Sequence, residues 1–118
     1  MSQPCSHWAQ ALRDPCFTVR CTAARALGEM GEGARDAVPA LIEALADPEP
    51  GVRDAVATAL GALGRTAKLA VPFLAEALHD PNRFVRQAAA VALEQIDPAA
   101  AARAIARAAG REAPPQPQ

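Results

Sequence analysis

Apolar residues between positions 52 and 63 fall at Val52, Val56, Ala59, Leu60 and Leu63, with Ala55 beside Val56. Steps of three and four residues place such positions on one broad face of an α-helix, and the intervening polar positions on the other. The pattern occurs three times at a period of 33 residues: Val19, Val52 and Val85 match, as do Leu27, Leu60 and Leu93, then Met30, Leu63 and Ile96. A second amphipathic segment precedes it, with Val38, Leu41, Ile42 and Leu45 in one copy and Val71, Leu74 and Leu78 in the next. The chain is therefore a series of helix pairs, and a period of this size is the signature of a solenoid.

The polar residues punctuate the same period. Asp-Pro stands before each of the long apolar helices, at 14–15, 47–48 and 80–81, and Arg20, Arg53 and Arg86 follow each Asp by six residues. Asp is expected to cap free N–H groups there and Pro to take the first helical position. Gly31 and Gly64 end two of the long helices, where glycine accepts a left-handed cap. Pro39 and Pro72 sit near the start of the shorter helices; an interior Pro removes a backbone hydrogen bond and clashes with the preceding turn, so a bend or a late start is expected. Alanine at 23, 24, 26, 55, 57, 59, 88, 89, 90 and 92 allows neighbouring helices to approach closely. A single pair of this kind cannot bury its apolar face, whereas stacked pairs can.

The ends fit the scheme. SHWAQALRD aligns with PALIEALAD, so Trp8 takes the place of Leu41 and Leu74, Leu12 that of Leu45 and Leu78, and Cys5 that of Val38. Asp97-Pro98 opens one more helix whose Arg103, Arg107 and Arg111 recur on one face, as a polar cap requires. The expectation is an all-α superhelix of seven helices: repeats at about 2–31, 34–64 and 67–97 and a capping helix at 98–110, together a domain over 1–110, then a Pro- and Gln-rich tail, 111–118, of disordered composition.

Composition narrows the function. Half of the 118 residues are hydrophobic but only 3% are aromatic, which favours Ala/Leu-rich helices over strands. The formal charge of −1 offers no basic surface for nucleic acid. No apolar run is long enough to span a bilayer, and MSQPCSHWAQALRD does not read as a signal peptide, so a cytoplasmic protein is expected. The three cysteines, Cys5, Cys16 and Cys21, contain no C-x-x-C pair and read as reduced thiols.

The motif AVPxLxxALxDPxxxVRxxAAxALGxLG resembles the HEAT repeat, in the short bacterial form found in phycobilisome lyase subunits, over nearly the whole chain except the tail. The resemblance implies a HEAT-like α-α solenoid. It also implies that the turn Asp and the Arg six residues on bond within and between repeats as a ladder: Asp14/Arg20, Asp47/Arg53 and Asp80/Arg86. Loss of Arg53 is then expected to leave Asp47 unpaired. The helix after each Asp-Pro is implied to line the concave side, the usual binding surface. An accessory role in a bilin-lyase-like complex is the alternative that the resemblance suggests.

On those inner helices three rows vary between copies while the apolar frame does not: Thr18, Gly51 and Phe84; Cys21, Asp54 and Gln87; Arg25, Thr58 and Val91. A packing position stays the same from copy to copy, so these rows are the candidate partner-binding positions, unless they drifted as ordinary solvent positions. Phe84 and Val91, two helical turns apart with Gln87 between, form an apolar stripe if the last helix leaves them uncovered. Phe73, on an outer helix, is expected to fold over its neighbour. Cys5, replacing a core Val, reads as a small hydrophobe. Cys16 lies in a first helical turn where the dipole lowers a thiol pKa. His79, beside Asp80 at a helix end, reads as a surface residue. No metal set, cofactor motif, glycine-rich phosphate loop or catalytic group emerges. The reading is a non-catalytic scaffold that binds another protein, with neither nucleic acid nor membrane as partner. End-to-end self-association of the stack is a further option.

Overall fold

The computed structural model describes residues 4–112, and the side chains of 5–110. Seven α-helices run in chain order: α1 (Pro4–Ala11), α2 (Phe17–Met30), α3 (Val38–Ala44), α4 (Pro50–Ala62), α5 (Val71–Ala77), α6 (Arg83–Ile96) and α7 (Pro98–Glu112). Among the described residues there is no strand. Of the expected tail, 111–118, residues 111 and 112 continue α7, while 113–118 lie outside the described residues, as does the Arg111 side chain.

The apolar frame forms the core. Leu27, Leu60 and Leu93 are fully buried, as are Leu41 and Leu74 of the shorter helices. The longer helices form the central row, with α4 packed along both α2 and α6, while α3 lies against α4 and α5 against α6. Close approach within the row depends on glycine. A Cβ at Gly61 would stand 2.8 Å from the Ala92 Cα and against the Gln95 side chain, and one at Gly28 would stand 3.1 Å from the Ala59 Cα. The third copy has Glu94 at this position, exposed, and among the described residues no further inner helix follows α6.

Prolines and glycines set the corners. Gly31 and Gly64 take φ of 57° and 58° and turn the chain out of the inner helix. Each opens a short 3-10 helix, Gly31–Ala37 or Gly64–Ala70. The α-helix then starts late, at Val38 or Val71, one residue before the proline. Pro39 and Pro72 thus fall where a missing N–H costs nothing.

Two sequence expectations are corrected here. The Asp-Pro pair lies in the turn, not at the helix start: Asp14, Asp47 and Asp80 each accept, through Oδ1, the N–H of the residue two further on (Cys16, Glu49, Asn82), at 2.8, 2.9 and 2.9 Å. This Asx-type turn uses the same carboxylate that would otherwise cap. The residues preceding the helices are Cys16, Glu49 and Asn82, of which Asn82 caps with its own side chain, accepting from the Phe84 and Val85 N–H groups. Asp97 does cap, accepting from the Ala100 N–H at 3.2 Å, and Pro98 is the first helical residue. The second correction is Val19: its counterparts Val52 and Val85 are 0% and 1% exposed, but Val19 is 36% exposed, because among the described residues only the short α1, and no inner helix, precedes α2.

Candidate functional site

The inner helices present their variable rows on one side. Between α2 and α4 lies an open hollow of about 430 Å³. Gly28, Gly51, Ala55, Ala59 and Ala62 supply its small residues, and Cys21, Arg25, Glu29, Asp54 and Thr58 its larger ones. Between α4 and α6 lies a second, of about 240 Å³, lined by Asp54, Thr58, Phe84, Gln87, Ala88, Val91 and Gln95. Asp54 and Thr58 line both, so the two hollows form one track across three helices.

Of the residues expected on this face, Cys21, Arg25, Asp54, Thr58, Phe84, Gln87 and Val91 line the track. Thr18 lies outside it, exposed, with its carbonyl accepting the Thr22 hydroxyl at 3.0 Å. Phe84 and Val91 are 59% and 49% exposed, and α7 packs against α5 and the other side of α6 without covering them. The Arg83 guanidinium lies 5.5 Å from the centre of the Phe84 ring. Glu29, Ala62 and Gln95 also line the track and were missed; they form a further variable row at the same 33-residue period, so the signal was present in the chain.

The ladder residues lie at the turns. Arg20 donates through Nε and Nη2 to the two carboxylate oxygens of Asp47, at 2.8 and 3.2 Å, and through Nη1 to the Asp14 carbonyl at 2.8 Å. Arg53 repeats this with the Asp80 carboxylate, at 2.8 and 3.1 Å, and the Asp47 carbonyl, at 2.8 Å. The carboxylate partner of Arg53 is therefore Asp80 of the next repeat, not Asp47 as expected. Arg86 donates to the Asp80 and Pro81 carbonyls and, among the described residues, pairs with no carboxylate. Asp47 holds the Arg20 guanidinium above its usual pKa. Burial pushes the Asp80 carboxyl up, but the Arg53 guanidinium and the Asn82 N–H outweigh it and leave it below the usual range.

The thiols do not converge. Cys5 is buried and Cys16 is exposed, while Cys21 is half-buried. The Val19 and Thr18 N–H groups lower the Cys16 pKa, and burial raises that of Cys21. Phe73 is 46% exposed and does not fold away as expected; His79 is exposed. Among the described residues no group of His, Cys, Asp and Glu could hold a metal ion, and no helix is long and apolar enough to cross a membrane.

A family model described as HEAT repeats matches residues 6–94, which is most of the chain and includes all of the track except Gln95. No curated protein matches the chain.

Proposed function

The chain belongs to the HEAT repeat family, and on that premise we propose that it is a non-catalytic scaffold that holds a partner protein on the face formed by α2, α4 and α6. HEAT repeats generally mediate protein–protein interaction, which is the coarse part of this reading. The observation that carries the finer part is the half-exposed Phe84 and Val91 pair beside a continuous track lined by residues that differ from repeat to repeat. Apolar side chains held on a rigid helix face, with polar groups around them, match the anatomy of a binding surface, where a few central anchors carry most of the affinity. An accessory role in a bilin-lyase-like complex rests on motif resemblance alone, and no residue of the track adds to it.

The test is an affinity capture with mass spectrometry, comparing wild type with the Phe84→Asp/Asp54→Arg double variant, whose folding is checked by circular dichroism. Recovery of one protein by wild type and its loss by the folded variant supports the face. Equal recovery by both moves the interaction to the outer helices or the ends of the stack.

A further inference from the structure

The ladder has two open ends. Arg20 reaches Asp47 and Arg53 reaches Asp80, each a step of 27 residues. The same step from Arg86 leads to position 113, which is an alanine. In Arg20 and Arg53 it is Nε and Nη2 that grip the carboxylate. On Arg86 only Nη1 is engaged among the described residues, by the Asp80 and Pro81 carbonyls. At the other end Asp14 accepts the Cys16 N–H, and among the described residues no arginine pairs with it. One end thus offers a guanidinium fork and the other a carboxylate, the two halves of a bidentate pair. Val19 lies open at the Asp14 end, where Val52 and Val85 are buried in the later copies. A second copy of the chain, added in the register that joins α2 to α4 and α4 to α6, would bring its Asp14 to Arg86 and continue the array. Such a head-to-tail contact does not close on itself, so it would repeat into a filament.

Two features oppose this addition. By the 33-residue period, residues 4–11 of α1 match 37–44, 70–77 and 103–110. The last of these lie in α7, which packs on α5 and α6. α7 therefore stands fourth in the outer row, in the place that α1 of an added copy would need. The second feature is Glu94. At Gly28 and Gly61 the next inner helix comes so near that a Cβ would stand 3.1 Å from the Ala59 Cα and 2.8 Å from the Ala92 Cα. Glu94 holds the equivalent place on α6 and would face Ala26 of an added copy. A full side chain there holds that copy's α2 too far out for its Asp14 to reach Arg86.

We propose that α7 and Glu94 are stops that keep the chain from extending head to tail by adding copies of itself, across ladder ends that would otherwise pair. The inference goes beyond the scaffold reading and does not depend on it. The α7 stop is lightly held. Its buried residues are Ala101 and Ala108, and its largest apolar side chain, Ile105, is 36% exposed. Alanine contributes little apolar area, so α7 can be displaced by substitutions that leave the buried leucines in place.

Sedimentation velocity over a wide range of concentration reads the assembly. Wild type is expected to stay at the mass of one chain, 12.2 kDa. So is Glu94→Gly, in which α7 still stands in the way, and so is Ala101→Asp/Ala108→Asp, which displaces α7 but keeps Glu94. The variant with all three substitutions is expected to form species that grow with concentration. Asp14→Asn in that background still accepts the Cys16 N–H through its side-chain oxygen but lacks the charge. It is expected to weaken the association about tenfold, the size of one charge-assisted contact. Circular dichroism checks folding. If the aspartates unfold the chain, Ala104→Pro replaces them, since it breaks α7 without placing a charge against α6. Assembly by wild type or by either partial variant, a triple variant that stays single, or assembly indifferent to Asp14→Asn overturns the inference.

Discussion

The Arg53 guanidinium leaves its own repeat and closes on the Asp80 carboxylate of the next, with Nε 2.8 Å from Oδ2 and Nη2 3.1 Å from Oδ1. Its third nitrogen, Nη1, stays at home and donates to the Asp47 carbonyl at 2.8 Å. One side chain thus ties together the turn that begins its own helix and the turn that begins the next inner helix. Arg20 makes the same link one repeat earlier, to Asp47.

Arg53→Ala removes the two guanidinium donors from a largely buried carboxylate, at 10% exposure, leaving it the Asn82 N–H, and is expected to cost about 1–3 kcal/mol. Arg86→Ala removes only bonds to two carbonyls and is expected to cost less. Thermal melts of the two variants check the ranking; equal losses count against the carboxylate link.

The same link predicts a pH dependence. The folded-state pKa of Asp80 lies below its unfolded value, so its contribution is present above the unfolded pKa, about 4, and is lost as pH falls through the folded pKa. Chemical denaturation of wild type and Asp80→Asn at stepped pH tests this. The stability gap between them is expected to be widest near neutral pH and to close below about pH 4. A gap that does not narrow in acid contradicts it.

Two glycines of the same helix, α4, should respond in opposite ways. Gly61→Ala puts a Cβ 2.8 Å from the Ala92 Cα, where backbone has to move, and it is expected to push α4 and α6 apart and lower the melting temperature. A Cβ at Gly51 meets nothing within 4 Å, so Gly51→Ala is expected to add about 0.4–1 kcal/mol by reducing unfolded-chain entropy. Denaturant titration of both separates them.

Val52→Ala and Val19→Ala exchange the same side chain at matching positions of two copies. Val52 is fully buried and its loss is expected to cost more than that of Val19, which remains 36% exposed. Equal costs would show that the first repeat is covered in solution.

The period of 33 residues carried most of the fold, because each copy confirms the others: one amphipathic helix is ambiguous, while three with the same frame and the same corners are not. What the period could not carry is position within the array. Val19 has the same letter as Val52 and Val85 but, among the described residues, no inner helix ahead of it. Asp14, Asp47 and Asp80 carry a residue that serves both helix caps and Asx turns, and the turn wins because the helix begins only after the following two residues. The ladder residues were legible as residues, but which carboxylate each arginine reaches depends on how adjacent repeats stack, and that is set by contacts such as Gly61 on Ala92. The variable rows led to most of the track. Glu29 and Gln95 escaped notice because they sit near helix ends, where variation reads as a solvent position.

The claim that the inner-helix face holds the partner is tested most directly by nuclear magnetic resonance of the labelled chain titrated with the captured protein or its bound segment. Amide shift changes are expected to concentrate at Cys21, Arg25, Asp54, Thr58, Phe84, Gln87 and Val91 and to leave α1, α3 and α5 unchanged. Changes concentrated on α1, α3 and α5, with the Asp54 and Phe84 signals unmoved, would contradict the account.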